Sequence, residues 1–222
     1  MTYALLKFAH LLGAILMGAG LIGVWMADLR SRQVRRLDAF SEAVRNIAVF
    51  YDGIVVPGAL LLLGSGSWMI VQFYGGWGFL EVPWLLGMVV LFAFEFIEGN
   101  TVTRIYFMRL RRLTQAARQA GDFTPELERA RGEGVATFTH FLDLPILFLI
   151  VALGAVRPTD WTLSLVGAAA AILVAVVLTL TIPPACIPGV TSGRRSNGGP
   201  RCPCRVGVGV GHQPPGLSLI HI

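Results

Sequence analysis

The chain has 222 residues, of which 55% are hydrophobic and only 14% charged, and its mean hydropathy is +0.67, whereas soluble domains carry ~25% charged residues. That balance excludes a soluble enzyme or a solvated binding module and leaves a multi-pass membrane protein. The net charge of +5 does not point to a nucleic-acid partner, because Arg194, Arg195, Arg201 and Arg205 lie in the C-terminal tail and without them 14 basic residues face 13 acidic ones.

Taken in order, the first apolar run extends from Ala4 to Ala27, about the ~20 residues needed to cross a bilayer. It is too long for a signal-peptide core and its arginines follow it, so it reads as a retained span. Lys7 is near enough to the end to reach the headgroups. His10, Gly13, Met17 and Gly20 follow helical spacing on a face of little bulk, which suits close helix packing; the same pattern admits a weak cofactor reading, a haem held by His10 alone or with Met17. A basic connector, Arg30 to Arg45, holds Asp38 and Glu42 at i,i+4 and predicts a short interfacial helix.

Span two, residues 47–73, carries Asp52 well inside its start, then Pro57, which predicts a kink. A charge-poor aromatic turn with Trp77 leads into span three, residues 84–107, and these two spans are expected to form a tight pair. Span three holds Glu95 and Glu98, three residues apart and hence on one helix face. From Arg104 the helix is expected to emerge as an amphipathic segment to Ala120, and Thr124-Pro125-Glu126 marks a fresh helix start. Span four, residues 135–156, contains His140, Asp143 and Pro145; span five, residues 161–182, has no ionisable group.

The expected fold is therefore all-α, a polytopic membrane bundle of five transmembrane helices within residues 1–183. The positive-inside rule places the two arginine-rich connectors in the cytoplasm and the N-terminus outside. Residues 184–222 change to Gly, Pro, Arg and Cys, a composition that buries no core and reads as a disordered tail. Leu217 to Ile222 look like a translated sequencing adapter, so the tail is expected to be a frameshift followed by read-through. It contains all three cysteines, Cys186, Cys202 and Cys204, and the body holds no thiol for a disulfide or a metal.

Helix rise converts position into depth. Asp52 and His140 each fall ~8 Å from the arginine-rich end of their spans, Glu98 reaches about that level, and Glu95 and Asp143 lie one turn deeper. An ionised carboxylate costs at least ~2.5 kcal/mol in hydrocarbon, so these groups should face inward and meet. Four carboxylates in a dry cluster cannot all be charged, and shared protons are expected. The layer of Asp52, Glu95, Glu98, His140 and Asp143, supported by Tyr51, Asn100, Thr101 and Thr139, would relay protons, bind a cation, or fix helix register as a satisfied polar network. Depth also separates His10 from His140 by ~13 Å, which opposes haem ligation by that pair.

The stretches Lys7 to Ala14, Tyr51-Asp52-Gly53 through Pro57, Gly64 and Trp68, Phe94 to Asn100, and Thr139 to Asp143 resemble bacterial predicted integral membrane proteins grouped as domain of unknown function 2269. The resemblance covers about Met1 to Pro183 and implies an inner-membrane helical bundle without an assigned activity. The first helix alone is distantly similar to copper-resistance D-type proteins and to the membrane protoporphyrinogen oxidase that uses haem. Three classes stay open at this point: proton or ion handling, a haem- or quinone-linked redox protein, and a scaffold for other membrane proteins or a second copy of the chain. Catalysis is the less favoured reading.

Overall fold

The computed structural model describes residues 2–182, and the readings made for the tail lie outside the described residues. Five stretches of helix are long and apolar enough to cross a membrane, as expected. The chain runs α1 (Thr2–Gln33), α2 (Leu37–Phe50), α3 (Val56–Tyr74), α4 (Pro83–Glu98), α5 (Arg104–Ala120), α6 (Pro125–Arg131), α7 (Gly134–Val156) and α8 (Thr162–Thr181).

Two of the spans are longer than the apolar runs that predict them. α2 and α3 form one continuous helix of 38 residues, as do α4 and α5, about 57 Å each at the usual rise. Both therefore extend beyond ~30 Å of hydrocarbon at the arginine-rich end. The predicted interfacial helix of the first connector is the amphipathic start of span two: α2 buries Phe40, Ala43, Val44 and Ile47. The predicted extension of span three is found as α5, which buries Tyr106, Phe107 and Leu110. Thr124 caps α6 by accepting the Leu127 N–H at 3.3 Å.

Each long helix contains one turn of π-helix, Tyr51–Val55 in the first and Gly99–Thr103 in the second. In the first, the widened turn leads directly into Pro57, whose missing N–H and bulky ring disturb the preceding turn. In the second, side chains take up carbonyls: Asn100 Nδ2 donates to Phe96 O at 2.8 Å and Thr101 Oγ1 to Ile97 O at 2.6 Å. The two π-turns are tied together by Tyr51, whose hydroxyl donates to Gly99 O at 2.6 Å.

Helix α1 is the hub on one side and α7 on the other. α1 packs along α3 through glycines, and a Cβ on Gly58 would come within 2.6 Å of the Met17 backbone nitrogen, so this approach needs glycine. The small-residue packing expected of span one is thus realised. α7 packs against α8 and α4, with Phe141, Ile146, Ala171 and Ala175 in their shared core. The expected pairing of spans two and three is formed only toward the arginine-rich end, where α2 packs on α5 and Tyr51 reaches Gly99; toward the joining turn α3 packs on α1 and α4 on α7, and α3 and α4 hardly touch. Short loops make helices sequential neighbours, but the glycine face of α1 is the better partner for α3.

Candidate functional site

The opening between α3 and α4 is where the site lies. A cavity of about 510 Å³, counting its mouth, is bounded by Met17 and Leu21 of α1, Tyr51 and Val55 of the first π-turn, Glu95 of α4 and Asp143 of α7. Glu95 is only 4% exposed, and neither carboxyl oxygen has a hydrogen-bond partner among the described residues. One helical turn on, Glu98 is buried and accepts the Thr103 hydroxyl at 2.9 Å through Oε1, while its Oε2, like the Glu95 oxygens, has no partner among the described residues.

Asp143 lies beside His140 on the same face of α7. His140 is 1% exposed and enclosed by rings, with Phe107 packed edge-on at 5.3 Å between centroids. Its backbone carbonyl accepts the Trp25 indole N–H at 3.1 Å. Nδ1 is 3.8 Å from Asp143 Oδ2 and Nε2 is 3.9 Å from Asp28 Oδ2. Both gaps exceed a direct hydrogen bond and lie within reach of a small ring rotation or one bridging water.

Asp28 opens a second polar cluster, which the sequence reading missed. It is 1% exposed and accepts from Arg32 Nε at 2.7 Å, a buried i,i+4 ion pair. Arg32 also donates to Thr137 Oγ1 at 3.1 Å, while Arg131 of α6 donates to Ser31 O at 3.0 Å and lies over the Phe40 ring at 4.5 Å. Burial pulls the Arg131 guanidinium below its ordinary value, with nearby Glu128 opposing. A small recess lies among Asp28, Arg32, Tyr106 and Arg131. The hydropathy of span one falls at Asp28, but helix α1 does not stop there; it continues to Gln33 with these polar groups turned inward. The visible signal was the Asp-Arg spacing of four residues, which neutralises a buried pair.

Of the five residues expected to form one layer, Glu95, Glu98, His140 and Asp143 come together and Asp52 does not. The Asp52 side chain is 57% exposed and pairs with Arg104 at 3.7 Å on the outside of the bundle. Depth was matched, but azimuth decided: Tyr51 and Val55 face the interior, which turns Asp52 outward. Among the supporting residues, Tyr51 and Asn100 border the cavity, whereas Thr139 donates to Ala136 O at 3.2 Å and exposed Thr101 to Ile97 O, each within its own stretch of helix. Thr103, fully buried on Glu98, was not foreseen. The residues of the haem reading part company: His10 Nδ1 meets Ser65 Oγ at 3.2 Å beside Gly66, while Met17 lines the cavity.

Residues 4–158 match the family of domain of unknown function 2269, described as predicted integral membrane protein. The chain belongs to this family. The match spans α1 to α7 up to residue 158 and so contains every residue of the polar site, whereas α8 lies beyond it. No curated protein and no solved structure matches the chain.

Proposed function

We propose that this integral membrane protein handles protons through the buried chain Glu95, Glu98, Asp143, His140 and Asp28. The observation that carries the reading is Glu95, a carboxyl group buried in a membrane span, without a partner for either oxygen, facing a cavity beside Asp143. A network retained only to fix helix register would satisfy its members, since an unpaired buried polar group costs about 1–3 kcal/mol. Glu98 and Asp143 can hold one proton between them, and His140 can accept it on one ring nitrogen and release from the other toward Asp28. Asp28, paired with Arg32 Nε at 2.7 Å, is the acid that a proton leaving the histidine ring would meet next.

Protons are favoured over a metal cation because, among the described residues, no three His, Cys, Asp or Glu side chains are grouped to hold one. The route then joins the cavity between α3 and α4 to the small recess under Arg131. By the positive-inside rule the Arg131 end faces the cytoplasm, and the membrane is a bacterial inner membrane. Proton flux into proteoliposomes, driven by a potassium diffusion potential and read by an enclosed pH dye, tests this. Wild type should exceed both Glu98→Gln and His140→Phe; flux equal to that of protein-free vesicles would refute it.

A further inference from the structure

The cavity has a chemistry of its own beyond proton storage. Its mouth lies between α3 and α4, where Leu60 is 54% exposed and Phe96 and Asn100 are half-buried. In a membrane span an exposed leucine faces acyl chains, so this opening is reached from the side, through the lipid. Among the described residues no Lys or Arg lines it, while two acids, Glu95 and Asp143, do. An acidic, unpartnered end behind an apolar mouth favours a small cationic head with a hydrocarbon tail and disfavours an anion.

We propose that this cavity binds the ammonium head of an alkylamine that enters from the bilayer, its tail leaving past Leu60 between α3 and α4. The proposal rests on the proton-handling reading and names the ligand class of the same site. On binding, the Glu95 O–H bond breaks, the carboxylate accepts a hydrogen bond from the ammonium N–H, and the released proton passes to Asp143 and on through His140. One positive charge enters the cavity for each that leaves it, so the buried site keeps its charge. Met17 and Phe96 offer polarisable surface to the carbon atoms next to the nitrogen.

Dicyclohexylcarbodiimide, a lipid-soluble reagent that adds to protonated carboxyl groups, supplies the test. In nanodiscs it should modify Glu95, as located by peptide mass spectrometry, and Glu95→Gln should remove the label. Dimethyloctylamine, a tertiary amine that forms no amide, should slow labelling about tenfold at ten times its dissociation constant, whereas octanol, octyl sulfate and tail-less trimethylamine should not. Leu60→Trp, a change on an exposed side chain that leaves the buried acids intact, should slow both labelling and amine protection. Labelling at Glu95 that the amine fails to slow, or that octanol or trimethylamine slows equally, overturns the amine site and leaves the proton reading standing. Absence of label at Glu95 in folded wild type overturns both.

Discussion

Asp28 and Glu95 are both buried acids of the bundle, and their surroundings could hardly differ more. Asp28 is held by Arg32 at 2.7 Å and by a shell of donors and rings that runs out to Arg131. Glu95 has no hydrogen-bond partner among the described residues and lines the cavity between α3 and α4. The first arrangement offsets the cost of burial with a matched charge; the second leaves that cost standing, which stability alone does not explain. On the proposed reading, one acid fixes structure and the other exchanges the proton it holds.

The largest effect should come from breaking the matched pair. Asp28→Ala strands the Arg32 guanidinium in the bundle and should cost about 3–5 kcal/mol, read as a shift in detergent-induced unfolding; Asp28→Met with Arg32→Met should recover most of that loss. The opposite sign is expected across the histidine, where Glu95→Met removes an unpaired polar group and should stabilise the protein by about 1–3 kcal/mol while abolishing proton flux. A loss of stability at that position would make Glu95 a structural acid like Asp28. Tyr51→Phe, which unties the two π-turns, should cost about 1 kcal/mol and widen the cavity mouth, visible as faster carbodiimide labelling of Glu95. The smallest effect belongs to Asp52→Asn, since an exposed pair with Arg104 is worth ~0.5 kcal/mol or less, and proton flux should be unchanged.

Asp52 and Asp28 show where a one-dimensional reading stops. Asp52 was included because its depth agreed with that of His140, and depth follows from helix rise alone. Which way it points depends on the phase of a helix whose turn widens at residue 51, and nothing in the spacing of Asp52 itself reports that. Asp28 was passed over because charge marks the end of an apolar run, although it does not end a helix. Its burial requires α7 to bring His140 and Thr137 against α1, contacts between residues more than a hundred positions apart. Glu95, Glu98, His140 and Asp143 were legible because apolar neighbours make an ionisable side chain conspicuous in a span.

By itself the sequence determined the five spans, the amphipathic extension after Arg104, the Thr124 cap and most of the acidic residues that lie inside the bundle, since each follows from local hydropathy, capping chemistry or the energy of charge in hydrocarbon. Only the tertiary structure decided that α3 turns to α1 and away from α4, which opens the cavity, that the phase of the widened turn at Tyr51 exposes Asp52, and that α7 brings His140 against Asp28. The reason is physical: helix formation is set by neighbours in the chain, whereas the partner a helix face selects is set by the shape of glycine notches and side chains that come from distant segments.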